Sequence, residues 1–365
     1  MTTTPTPGNQ PRRPMSDEEY GALRARAALW AGASVLITNP LGKVLVQRVD
    51  YRDTCLLPGG AVDAGESPAH AAAREVMEEL GVTAVADRGL AVDWVSADSF
   101  GAPPSMRFPG EIVHVFDGGT WDDNRIAEIR LPGHEITGIE FVEPARLPGL
   151  LSPTDARRAL SALRARINAA GTVLLANGLP ITPTVLDRLG ALRSARAEHH
   201  YPWRDAPSPH GLTVTQVHGW LFAPDGRVLV LLEPETGAAR LPGGMPGTQD
   251  HGDPLSTLYR EAERNAAARL EAPLLLGHVT DPRTRHDHLR YAAAFTDVGV
   301  PRTDPATDRT CARILATPEQ TAQLFDWGEP AADQLAAVHR ARHHLGLPRA
   351  VPQPVTELPC PTALA

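Results

Sequence analysis

Cysteine is nearly absent from this chain of 365 residues: Cys55, Cys311 and Cys360 are the full set, and none belongs to a Cys-x-x-Cys pair. That excludes a disulfide framework and a thiolate zinc site, and it fits a reducing compartment, so a cytoplasmic location is expected. Long apolar runs are missing too. No stretch approaches the roughly eighteen residues that a membrane-spanning helix needs. Met1–Pro14 is rich in Thr and Pro without an apolar core, unlike a secretory signal. Positive charge is in deficit, with a formal net charge of −8. This argues against a surface that tracks duplex nucleic acid, while leaving room for a small anionic substrate held through a metal. No Gly-Lys-Ser/Thr follows Asp117-Gly118-Gly119 or Pro242-Gly243-Gly244, so neither is a phosphate-binding P-loop. His199-His200, His286-Asp287-His288 and His343-His344 lack zinc-site spacing, and no Gly-x-Ser-x-Gly or Cys/His nucleophile arrangement occurs.

What the chain does have is material for two cores, at 42% hydrophobic and 21% charged residues, and an internal repeat. In the first half, Ala33–Thr38 reads as a strand, Asn39–Gly42 as a turn and Lys43–Val49 as a second strand, followed by Leu57-Pro58-Gly59-Gly60. In the second half, Val217–Ala223, Pro224–Gly226, Arg227–Leu232 and Leu241-Pro242-Gly243-Gly244 follow in the same order. Gly42 matches Gly226 and Gly60 matches Gly244 at one and the same separation, which composition alone does not produce. Helices are expected at Ser67–Leu80 and Pro254–Leu270. Further strands are expected at Glu111–Phe116, Gly138–Val142 and Leu289–Phe295, with closing helices at Pro153–Ile167 and Pro330–Leu345. The division that follows is a disordered tail over 1–14, a first domain over 15–168, a partly helical connector over 169–211, a second domain over 212–348 and a disordered tail over 349–365. In the connector, Thr182-Pro183 is a helix start, and Val185, Leu189 and Leu192 recur at helical spacing.

The chemistry sits after the first Gly-Gly. Gly59-Gly60 lets backbone approach a ligand closely. Ser67-Pro68 begins a helix that carries Glu75, Glu78 and Glu79 at i, i+3 and i+4, so three carboxylates share one face. Like charges at that spacing repel, and a hard divalent cation is a natural compensation. Arg74 can hold one of them by a charge-assisted pair, and Gly81 stops the helix. Taken alone, Arg-Glu-x-x-Glu-Glu also suits a solvated acidic face.

The wider pattern over residues 60–82 is more specific. Gly60, five residues, Glu66, seven residues, Arg74-Glu75, an aliphatic, one residue, Glu78-Glu79, one residue, Gly81 and an aliphatic meet every fixed position of the Nudix hydrolase signature. The sequence thus resembles a Nudix hydrolase. The resemblance implies an α/β fold of two tandem Nudix-like α/β/α sandwich domains, each with a mixed β-sheet. It implies hydrolysis of a diphosphate linkage in a nucleoside diphosphate derivative. Glu75, Glu78, Glu79 and the Gly59 carbonyl would be ligands of Mg²⁺ or Mn²⁺, with one glutamate doubling as base and Arg74 orienting a glutamate. Glu66 would be structural. A further acid from a later segment is expected, with Glu128 or Glu135 the candidates and Asp122 and Asp123 behind them.

The second copy departs from the signature. With a two-residue insertion after Gly244, Arg260-Glu261 aligns with Arg74-Glu75, but Arg264 stands at Glu78, Asn265 at Glu79, Ala267 at Gly81 and Gly252 at Glu66. A cation and an amide in place of two acids should abolish metal binding, and Glu263 and Asp250 lie off the required face. The second domain is therefore expected to be degenerate and non-catalytic. It would serve either as a nucleotide sensor or as an internal stand-in for a partner subunit, giving a monomer with an internal pseudo-dimer or a homodimer. A rival reading of the whole chain is a non-catalytic nucleotide-sensing regulator built on Nudix folds. Nucleoside triphosphates, ADP-ribose-like sugars and dinucleoside polyphosphates all remain open as the small nucleotide-type substrate, since Ala97-Asp98-Ser99-Phe100 matches no subgroup feature. Trp94 and Phe100 could stack on a base, and the loop from Ser96 to Phe108 could form a lid.

Overall fold

The structure is a computed structural model that describes residues 29–99, 108–189, 201–207, 211–233, 237–303, 308–325 and 330–358, with Ser16, Glu19 and Ala22. In the first half β1 (Trp30–Thr38), β2 (Val44–Val49), β3 (Gly59–Ala61), β4 (Gly89–Val95), β5 (Glu111–Thr120), β6 (Ile136–Val142), β7 (Val173–Ala176) and β8 (Leu179–Pro180) form one mixed sheet. Its order is β6-β2-β1-β5-β4-β7-β8, with β3 laid antiparallel on β1 and β5 parallel to it. Helix α1 (Pro68–Leu80) covers one face, packing Ala71, Ala72, Val76 and Leu80 onto Ala33, Val35, Ile37 and Leu45. After the short α2 (Asp123–Ala127), helix α3 (Pro153–Ile167) covers the other face. There Ala156, Ala159, Ala162, Leu163 and Ile167 meet Leu36, Val46, Leu90 and Val115. Alternation along β1 explains why both faces bury apolar side chains.

The connector is less of a connector than expected, because β7 and β8 complete the first sheet. Its helix, α4 (Val185–Leu189), is capped at Thr184 rather than Thr182: the Asp187 amide donates to the Thr184 hydroxyl and the Thr184 amide donates to the Asp187 carboxylate. Leu192 lies outside the described residues.

The second half holds β9 (Trp203–Asp205), β10 (Val214–Phe222), β11 (Val228–Leu232), β12 (Ala239–Arg240), β13 (Gly243–Gly244), β14 (Ala268–Thr280), β15 (Asp287–Val298), β16 (Ala312–Ala316) and β17 (Thr356–Glu357). The order β16-β11-β10-β15-β14, with β13 on β10 and β15 parallel to β10, matches β6-β2-β1-β5-β4 with β3 on β1. Helices α5 (Pro254–Glu261), α6 (Pro318–Phe325) and α7 (Pro330–His344) flank this sheet. The helix expected over Pro254–Leu270 is shorter. After Glu261 the chain widens into a single π turn, Ala262–Ala266, then reverses at Ala267 (φ +52°) into β14. The buried Arg313 guanidinium takes the carbonyls of Ala266 (2.9 Å) and Gly299 (2.8 Å) and so fixes that early stop.

The two halves share one apolar core. The cluster around α3 continues without a break into Trp220, Phe222, Val230, Ile314, Phe325 and Val338. Residues 349–358, expected to lie in a disordered tail, instead run extended: β17 pairs with β16, the Val355 amide donates to Asn168 Oδ1 (2.7 Å) at the end of α3, and Arg188 pairs with Glu357 (2.8 Å). Residues 1–15 and 359–365 lie outside the described residues. Among the described residues no helix is long and apolar enough to cross a membrane.

Candidate active site

Helix α1 delivers the acids. Ser67 caps it by accepting from the His70 amide, Pro68 opens the first turn, and Gly81 closes it at φ +68° with its amide on the Met77 carbonyl. The apolar stripe on β1 and β2 fixes the helix rotation, so Glu75 and Glu79 turn inward and Glu78 outward. Glu79 is 7% exposed. Its Oε2 accepts from the Gly59 amide at 2.8 Å and its Oε1 from Gln47 Nε2 at 2.6 Å. Gly59 needs its missing side chain here: at φ +140° a Cβ would lie 2.1 Å from the Ala33 carbonyl oxygen. At Gly60 a Cβ would lie 2.6 Å from Glu75 Oε1, so both glycines are required for close approach.

Arg74 organises the rest. Its guanidinium donates to Glu66 at 3.1 and 3.0 Å, to the Ala61 carbonyl at 3.0 Å, to Glu75 at 2.8 Å and to Glu78 at 3.2 Å. It holds the Glu66 carboxyl below the usual carboxylate range, and Glu66 in turn keeps Arg74 firmly protonated. Inside the helix the balance reverses. Burial pushes the Glu79 carboxyl up to about 8, with the Gly59 and Gln47 bonds opposing and the charges of Glu75 and Glu135 adding to it. Burial likewise raises Glu75, against the pull of Arg74. These are inward carboxylates short of positive charge, a donor chemistry that a hard divalent cation fits.

The three box glutamates are not equivalent. Among the described residues no three acidic, His or Cys side chains close on one point, since Glu78 lies outward on Arg74. Of the later acids, Glu135 is the one whose charge acts on both Glu75 and Glu79. It sits at φ +63°, with its carbonyl bonded by the Asp50 amide. Glu128 is an exposed residue ending α2, and Asp122 caps the same helix by accepting from the Arg125 amide. Asp123 lies in its first turn. Trp94 is 49% exposed on β4; Phe100 and most of the expected lid lie outside the described residues. Gln47 escaped the sequence reading. Its one signal was an amide that directly follows the apolar run Val44–Val46 in β2 and precedes the exposed Arg48.

The second half repeats the frame but not the acids. Arg260 donates to Asp250 at 2.7 and 2.6 Å, to the Met245 carbonyl at 2.9 Å and to Glu261. Asp250, not Gly252, therefore takes the place of Glu66, and the insertion falls between Asp250 and Arg260. The Gly247 amide bond to Asp250, repeating that of Asp63 to Glu66, holds the turn that makes this so. Asn265 Nδ2 donates to the Gly243 carbonyl at 3.1 Å and to Glu261 at 2.7 Å, and Arg264 stands 3.5 Å from Glu261. Glu263 turns to Arg302 on the surface.

A family model of the NUDIX domain matches residues 28–163. A Bacillus subtilis protein named "Putative 8-oxo-dGTP diphosphatase" is 33% identical over 129 residues, which cover 35% of this chain and 75% of that protein. An RNA pyrophosphohydrolase of Brucella ovis is 33% identical over 145 residues, covering 36% of this chain and 75% of its own. The crystal structure of a MutT protein from Methanosarcina mazei is 25% identical, with a TM-score of 0.30, and covers 38% of this chain and 93% of that one. With relatives one-third identical across three quarters of their own length, and the family pattern falling on the glycine loop and α1, this chain belongs to the Nudix family through its first domain.

Proposed function

We propose that this Nudix hydrolase, an enzyme acting on acid anhydride bonds, cleaves the diphosphate linkage of a small nucleotide-type substrate with Mg²⁺ or Mn²⁺ held at Glu75, Glu78, Glu79 and the Gly59 carbonyl. The observation that carries this reading is the pair of inward carboxylates, Glu75 and Glu79, buried beside Gly59-Gly60 and lacking positive charge other than Arg74. A divalent cation bound there would supply charge neutralisation on the diphosphate and acidify the water nucleophile. Arg74 keeps Glu75 and Glu78 in place, and the Gly59 amide keeps Glu79 in place. Water adds to phosphorus, the bridging P–O bond breaks, and one of these carboxylates takes the proton. Glu135 is the favoured further acid. The names of the two relatives make 8-oxo-dGTP and an RNA oligonucleotide that carries a pyrophosphate bond the first substrates to try, beside ADP-ribose and dinucleoside polyphosphates. Turnover of such a panel with each metal, with Glu79→Gln as blank, tests the proposal; no metal-dependent difference between the two proteins on any of them would refute it.

The second half we read as a degenerate, non-catalytic Nudix copy. Its strand order and its Arg260 frame support common descent. Asn265 donates to the Gly243 carbonyl, the counterpart of the Gly59 carbonyl proposed as a metal ligand, which supports the loss of the site. The apolar core common to both halves supports a structural role, that of an internal counterpart to the first domain, over nucleotide sensing. A monomeric mass in solution is expected, and a dimer built through the same core would count against it.

A further inference from the structure

We infer that Gln47 is a positioning residue of the active site, holding Glu79 in the orientation that binds the metal. This rests on the proposed role of Glu79 as a ligand. Gln47 is fully buried on β2, outside the signature, and spends its side-chain donor on Glu79 Oε1 at 2.6 Å. The Gly59 amide takes the other oxygen, so the carboxylate is pinned from two sides and has little freedom to rotate.

The fold itself does not ask for an amide there. Gln47 Oε1 is buried with no partner, an arrangement that costs stability unless something offsets it. The second half shows what the scaffold accepts when the acid is gone. Leu231 occupies the same place, the fourth residue of its strand, facing Arg240 across the sheet as Gln47 faces Leu56. It is fully buried as well. Gln47 thus goes with Glu79, and Leu231 with Asn265: within one chain the amide is present where the acid is present and apolar where it is not. The Gln47 backbone also exchanges two hydrogen bonds with Leu56 (2.9 and 3.0 Å), three residues before Gly59, so one residue ties the glycine loop and the acid to the same strand.

The test is Gln47→Met, which keeps the volume and removes the donor, compared with wild type for Mn²⁺ affinity by electron paramagnetic resonance, for kcat and KM, and for Tm. Expected are a Mn²⁺ Kd raised about 10- to 100-fold and a fall in kcat with KM little changed, at an unchanged or higher Tm. In a Glu79→Gln background the same substitution should leave Mn²⁺ affinity where Glu79→Gln alone puts it. Should Gln47→Met not fold, Gln47→Asn, whose amide stops one methylene short, is expected to show the same loss. Wild-type Mn²⁺ affinity and kcat in a folded Gln47 variant would overturn the inference, as would an equal loss in both backgrounds. A wild-type protein that binds no Mn²⁺, or a Glu79→Gln variant that binds it as well as wild type, would instead overturn the metal reading on which it rests.

Discussion

The two arginines, Arg74 and Arg260, hold nearly the same set of partners and do opposite work. Each grips an acid from the preceding loop, a carbonyl after Gly-Gly and the next glutamate in its helix. Around Arg74 the remaining acids are left short of cations. Around Arg260 an amide and a second guanidinium approach the buried Glu261, so that carboxylate has donors from within the chain. On the proposed reading of the second half as a degenerate copy, a site would be lost while its scaffold persists: two substitutions would exchange a demand for an external cation for an internal supply of donors.

The contrast can be broken most forcefully at its acids. Glu79→Gln should lower hydrolysis about 1000-fold, several kcal/mol of transition-state stabilisation, while Glu261→Gln should leave the steady-state rate near wild type. Equal losses in both variants would show the second half to be catalytic. Next in size is stability. Arg260→Ala strands Asp250 and Glu261, 3% and 4% exposed, without their main cation, and should cost about 3 kcal/mol in urea unfolding. Arg74→Ala should cost less, because Glu78 on that side is solvated, and should show instead as lost turnover. Smaller again is the choice of a further acid: Glu135→Gln should weaken Mn²⁺ binding about tenfold and Glu128→Gln should not, by the same resonance titration.

The smallest effect is one of pH. In the metal-free protein the Glu79 carboxyl is pushed up to about 8 from the ordinary 4.5, so folding favours its protonated form. That stabilisation is complete below about pH 4.5 and is lost as pH rises through 8. In EDTA, Tm should therefore fall by a few degrees between pH 6 and pH 9 relative to Glu79→Gln, and excess Mg²⁺, which favours the ionised form, should flatten the difference. A metal-free wild type that gains stability over that interval relative to the variant would contradict the burial of Glu79.

Much of the site was legible because its parts are contiguous. Gly59 to Gly81 encode loop, cap, acids and stop within one stretch, and the matching glycines exposed the repeat. What stayed hidden depends on distance or on local geometry. Gln47 meets Glu79 only once β2 lies under α1. Glu135 and Glu128 are alike in sequence and separate only by where a loop turns. Asp250 was displaced by two residues in register because a turn held by Gly247, not the helix, sets its place. The early end of α5 depends on Arg313, far along the chain, and the extended run of 349–358 on a partner, Asn168, that no local pattern announces.

The shared core has a consequence for how damage spreads. A cluster that runs from Leu36 through α3 to Phe325 and Val338 ties the interiors of the two halves together, beside the separate clusters that each half keeps around Ala33 and Val76 and around Leu221 and Ala262. Heating should then melt both as a single cooperative unit, with calorimetric and van't Hoff enthalpies in agreement. A Leu324→Ala cavity, on the side without the acids, would cost about 2–5 kcal/mol and be felt as lost hydrolysis at high temperature. If the second half is non-catalytic as proposed, it would thus carry a share of the mutational load of a reaction carried out in the first.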